Sequence, residues 1–160
     1  MIILGIDPGI ARMGWGVVED TRGKARAIAY GCFETKKNME QPERLKAVHD
    51  ELTKVIKKYK PERIAVEKLF FSKNVKTALT VGEARGVIML TCAELNVPVV
   101  EISPKEVKQT LTGYGSAGKK QMQRMIQLML GLKEMPKPDD AADALAIAIA
   151  GSRIREYKNT

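Results

Sequence analysis

The sequence predicts an α/β domain built on a five-stranded mixed sheet flanked by helices. Three observations carry that expectation. The chain has 160 residues, the size of one domain with its own core. It opens with an unbroken apolar run and two further strand-like segments joined by glycine-containing turns. Beyond these, segments of helical periodicity alternate with short apolar runs, the mark of parallel pairing through crossovers. No internal repeat, low-complexity tract or linker divides residues 1–160, so a single domain is expected.

Ile2 to Ile6 reads as a central strand buried on both faces. Gly14 to Glu19 and Lys24 to Glu34 read as strands two and three of an antiparallel meander. Pro42 opens a helix at its favoured first position, with Leu45, Val48, Leu52, Val55, Ile56 and Tyr59 at helical spacing. Arg63 to Lys68 is a fourth strand, with Ile64 and Val66 on one face and Glu67 on the other. A long helix runs from about Asn74 to Leu95; its apolar residues cover more than one stripe, so a partner subunit is expected as a second cover. Val97 to Ile102 is the fifth strand. Ser103-Pro104-Lys105-Glu106 is a capping box that starts a helix ended by Gly113. A glycine-rich loop then leads to a helix from Lys119 to Leu130. The last helix, from about Asp139 to Arg155, is rich in alanine, which allows close packing on a sheet.

Composition narrows the function. An apolar content of 44% and a charged content of 29% fit a soluble globular protein and exclude a disordered one. No apolar run approaches a membrane span and no basic leader opens the chain, so a cytoplasmic location is expected. Cys32 and Cys92 are far apart and read as small buried residues of a reducing compartment. With the lone His49, on the polar side of its helix and read as solvent-facing, they cannot make a usual zinc site. The net charge of +8 favours a polyanion, most readily nucleic acid. The excess gathers in two stretches, Thr53 to Lys76 and Pro104 to Lys133, expected to converge on one face.

Acids stand where core-building alone would not put them. Asp7 ends the buried first strand. Glu67 lies near the end of the fourth. Asp140 and Asp143 lie three residues apart in the first turn of the final helix, hence on one face. If strands one and four are adjacent and parallel, Asp7 and Glu67 meet at one sheet edge within reach of that helix. Clustered carboxylates raise one another's pKa, and a hard cation relieves the cost. Two Mg²⁺ ions, or Mn²⁺ in their place, suit in-line attack of water on a phosphodiester. Each acid also has a structural reading: an Asx turn at Asp7-Pro8-Gly9, a surface pair Glu67-Lys68, and a helix dipole favoured by Asp139, Asp140 and Asp143. The two adjacent aromatics Phe70-Phe71 cannot both face one core, so one is exposed or at an interface.

The chain resembles the RuvC family of Holliday junction resolvases, nearly end to end. The residues that carry the resemblance are Ile3-Leu4-Gly5-Ile6-Asp7-Pro8-Gly9, Ala65-Val66-Glu67-Lys68-Leu69-Phe70, Val107-Lys108-Gln109 with Gly113 to Lys119, and Asp140-Ala141-Ala142-Asp143-Ala144-Leu145-Ala146. The resemblance implies a ribonuclease-H-like fold and a homodimeric, Mg²⁺-dependent endonuclease that resolves four-way DNA junctions by paired symmetric nicks, in homologous recombination and DNA repair. It implies work beside the RuvA–RuvB branch-migration complex. It makes Asp7, Glu67, Asp140 and Asp143 the metal ligands and catalytic acids. It places Lys108 and Lys119 by the scissile phosphate, with Lys119 also catalytic, and gives Phe70 a place at the junction centre with Lys73 on the nearby backbone. The additional Lys120 is a further DNA-binding candidate, and Phe71 competes with Phe70 as the wedge.

Other classes share parts of the pattern. An actin-like phosphotransferase opens with a similar strand but needs two such domains. A non-catalytic nucleic-acid module explains the charge but has no use for four acids, which weaken DNA binding. A generic ribonuclease H uses the same metal chemistry without needing a helix covered on two sides.

Overall fold

The computed structural model describes residues 1–68 and 75–154. Five strands, β1 (Ile2–Asp7), β2 (Arg12–Thr21), β3 (Lys24–Glu34), β4 (Arg63–Glu67) and β5 (Val99–Ile102), form one sheet in the order β3-β2-β1-β4-β5. The meander β1-β2-β3 is antiparallel; β4 and β5 add in parallel beside β1. The mixed five-stranded sheet is therefore as expected, and so is the condition on which the acid cluster depended: β1 and β4 are parallel neighbours, with Ile6 opposite Val66.

Helices cover both faces. α1 (Gln41–Tyr59) and α2 (Val75–Glu94) lie on one side, over Leu4, Ile6, Met13, Val17, Ile64 and Val66. α5 (Asp139–Arg153) lies on the other, flanked by α3 (Pro104–Thr112) and α4 (Lys119–Leu130). Alternation along a strand sends Ile3, Gly5 and Asp7 of β1, and Ala65 and Glu67 of β4, toward α5. That helix touches the sheet almost backbone to backbone. A Cβ on Gly5 would stand 2.0 Å from the Ala144 carbonyl oxygen, and one on Gly14 would stand 2.1 Å from the Asp140 carbonyl oxygen. Glycine in a strand interior usually weakens it; here it admits a helix.

The Ser103–Glu106 capping box forms as read: Glu106 N donates to Ser103 Oγ at 3.2 Å, and Ser103 N donates to Glu106 Oε2 at 2.7 Å. Gly113 ends α3 at φ 81°, where a side chain would be strained. α2 is more one-sided than its composition implied. It buries Ala84, Ile88, Thr91 and Cys92, while Val75, Leu79 and Leu90 stay open to solvent. His49 is not simply solvent-facing. It is half-buried and joins α1 to α2, its Nε2 lying 3.0 Å from Glu94 Oε2. Cys92 is buried as expected, whereas Cys32 is only partly so. No described helix is long and apolar enough to cross a membrane.

Candidate active site

Asp7 and Glu67 come together because two parallel strands end side by side, on the face that α5 covers. Asp143, one turn into α5, lines a cleft of about 390 Å³ together with Glu67, Lys108 and Lys119, over an apolar floor that includes Val107, Ile126 and Ala142. The electrostatics follow from this crowding. Asp7 is pushed up to about 7, first by burial and then by Glu67, Asp143 and Asp140. Burial raises Glu67 as well, then Asp143 does, while Lys108 opposes the shift. Asp143, the most open of the three, is raised by desolvation against the cleft walls and then by Asp139 and Asp140, with Lys119 opposing.

Asp140 stands apart. It shares the first turn of α5 with Asp143 in broad direction, yet its carboxylate turns to Arg12, with Oδ2 3.2 Å from Nη2. Among the described residues, no three acidic, His or Cys side chains close on a common point tightly enough to grip an ion as placed. The donor chemistry nonetheless fits a hard divalent cation. The ligands on offer are carboxylate oxygens alone, and their mutual repulsion is what a cation would relieve.

Of the basic candidates, Lys108 and Lys119 line the cleft. Lys119, at the start of α4, is ion-paired with Asp139. Lys120 is exposed beside it but is not part of the cleft lining. Phe70, Phe71 and Lys73 lie outside the described residues. The two basic stretches do not converge as a whole. The lysines of α1 sit on the opposite side of the sheet, where Lys54 meets Glu51 and Lys58 lies over the Tyr59 ring. The face shared with the cleft draws on α3 and α4, with Lys68 3.9 Å from Glu106 at its edge. A single helix cannot present its charge to both faces of a sheet, which a count along the chain does not register.

Two residues that sequence reasoning passed over matter here. Arg12 follows the Asp7-Pro8-Gly9 turn, ahead of the segment that reads as the second strand, and pairs with Asp140. Asp139 was read only as a helix-start acid, yet it holds Lys119. The available signal was charge order: an arginine and an extra aspartate each next to an element that already carries a site acid.

Comparison with known proteins places the chain in a family and a fold. The family model described as Crossover junction endodeoxyribonuclease RuvC matches residues 3–151. The protein of that name from Roseiflexus sp. is 55% identical over 91% of this chain and 87% of its own. The one from Brevibacillus brevis is 51% identical over 98% of this chain and 95% of its own. The solved structure of Thermus thermophilus RuvC in complex with Holliday junction substrate superposes with a TM-score of 0.91, at 38% identity over 95% of this chain and 93% of that one. The ribonuclease-H-like fold that the sequence resemblance implied is thereby borne out. With the match running from the first strand through the final helix, this chain belongs to the RuvC family.

Proposed function

We propose that this protein is a metal-dependent endonuclease that resolves four-way DNA junctions by paired symmetric nicks in recombination and repair. The observation that carries the reading is the convergence of Asp7, Glu67 and Asp143 at one sheet edge, where Glu67 and Asp143 raise the pKa of Asp7 and Asp143 raises that of Glu67, beside a cleft lined by Glu67, Asp143, Lys108 and Lys119. Family membership makes it specific to junction DNA. Asp7, Glu67, Asp143 and Asp140 hold two Mg²⁺ ions, with Mn²⁺ able to substitute. Bound divalent cations supply an activated water and a stabilised leaving oxygen. The chain's own part is to bring the acids together, to hold them partly out of water, and to present cations to the phosphate. Lys108, against Glu67, and Lys119, after its glycine-rich approach, neutralise the scissile phosphate; Lys120 holds the flanking backbone. Phe70 stacks at the junction centre and Lys73 contacts the strand beside it.

The protein works as a homodimer in the cytoplasm, beside the RuvA–RuvB branch-migration complex. Support for the dimer comes from α2. Val75, Leu79 and Leu90 are exposed at 69%, 64% and 56%, and Gly86 has nothing within 4 Å of where a Cβ would lie. An apolar stripe of this kind on the surface is a cost that a symmetry mate would remove. The deciding experiment is a nuclease assay on four-way junction, RNA–DNA hybrid and plain duplex, with Mg²⁺ or with EDTA. Cleavage of the junction alone, abolished by EDTA, is expected. Preference for the hybrid would move the reading to a generic ribonuclease H, and binding without cleavage would leave a junction-binding module.

A further inference from the structure

Cations flank the acid cluster on two sides, and they are held differently. Lys108 and Lys119 line the deep cleft. Arg12 lies across from them, in a shallow depression shared with Lys137, Pro138, Asp139 and Asp140. Arg12 is well anchored for a surface arginine. It opens β2 opposite Glu34 of β3, and its Nε lies 3.3 Å from Glu34 Oε1. The loop before it is tied down: Thr35 Oγ1 donates to the Ile10 carbonyl at 2.9 Å, and Thr35 N donates to the Ala11 carbonyl at 3.0 Å. The guanidinium is thus positioned by the β2–β3 hairpin, and Asp140 brings its carboxylate to it.

We propose that Arg12 is a positioning residue that competes with the divalent cation for Asp140, so that the Arg12–Asp140 pair must exchange before Asp140 can join Asp7, Glu67 and Asp143. The proposal rests on the reading of those four carboxylates as the cation site. Two effects have the same sign. The guanidinium occupies an oxygen of Asp140, and its positive charge repels an incoming cation. A site that must first break a pair binds more weakly by the fraction of time the pair is formed. Removing the charge of Arg12 should therefore tighten metal binding, whereas generic structural damage would loosen it. Exchange also frees the guanidinium beside the site, where a DNA phosphate can take it up.

The test is a Mn²⁺ titration of the DNA-free protein, reading free Mn²⁺ by electron paramagnetic resonance, with melting curves to establish that each variant is folded. Arg12→Gln should tighten binding by roughly three- to fivefold, about what an exposed ion pair of ordinary strength holds back. Arg12→Lys, which keeps the charge, should stay near the wild type. In an Asp140→Asn background the gain from Arg12→Gln should shrink to the part that charge repulsion alone supplies. Unchanged or weaker binding by Arg12→Gln overturns the proposal. So does an equal gain in the Asp140→Asn background, since Arg12 would then act without Asp140. A wild-type protein that binds no Mn²⁺ at all overturns the four-carboxylate site itself, an outcome distinct from the other two.

Discussion

Asp7 sits where burial and three neighbouring carboxylates all oppose its ionisation. Its value is raised from 3.8 to about 7, so between those limits the unfolded chain gives up this proton while the folded one keeps it. Without metal, this group therefore costs stability as pH climbs from about 4 through 7. Asp7→Asn removes the charge, so the metal-free variant should melt at a higher temperature than the wild type at pH 8. The same variant should lose junction cleavage while still binding junctions, since removing negative charge beside a phosphate does not weaken contact. Scanning calorimetry and a labelled-junction assay check the two halves, and full cleavage by the variant would remove Asp7 from the site. Lys119 is paired with Asp139 in the free protein. If it acts on the developing charge of the phosphate, Lys119→Ala lowers turnover by roughly 10²-fold with a smaller change in affinity. A loss restored by raising protein concentration would make it an ordinary backbone contact.

Single side chains also tie the elements together. Arg63, read from sequence only as the first residue of a strand, is buried and donates from Nη1 to the carbonyls of Gly151 at 3.1 Å and Ile154 at 2.8 Å, at the end of α5. Those last carbonyls have no partner within the helix, and a cation beside them also suits its dipole. Arg63→Ala should cost on the order of 3 kcal/mol and lower the melting temperature without changing turnover per folded molecule. His49 is the corresponding link between α1 and α2. Its pKa is raised by hydrogen bonds to Glu94 and then Asp50. Its contribution is fully present below the ordinary value of 6.5 and is lost as pH rises through the raised folded value. The melting-temperature gap between wild type and His49→Ala should accordingly be widest near pH 5.5 and narrow by pH 9. A gap independent of pH would show that the ring matters only by packing.

For the whole molecule, the exposed apolar face of α2 is the feature with the widest consequence. Its buried side carries Ala84, Ile88, Thr91 and Cys92, and its exposed side carries Val75, Leu79 and Leu90. Because Leu79 touches little within one chain, Leu79→Lys should leave the melting of the monomeric fold nearly unchanged, within about 0.5 kcal/mol. It should convert a dimer seen by light scattering into a monomer, and paired nicking into single nicks. A wild type that scatters as a monomer at micromolar concentration would remove the basis for symmetric cuts.

Local chemistry was legible in the chain. The Ser103–Glu106 box, the Gly113 stop, the apolar run of β1 and the Asp7 and Glu67 strand ends are each decided by a few adjacent residues, so reading them needs only spacing. Residues separated in sequence were another matter. That Asp140 turns to Arg12 while Asp143 faces Glu67 depends on how closely α5 lies on Gly5 and Gly14, and the glycines alone do not say which helix they admit. That the lysines of α1 miss the cleft depends on which side of the sheet a crossover takes. Sequence determined which groups this protein owns and the local geometry of each. Only the tertiary structure decided which charges meet, because ion pairing is set by distance through space, and distances between elements are fixed by packing.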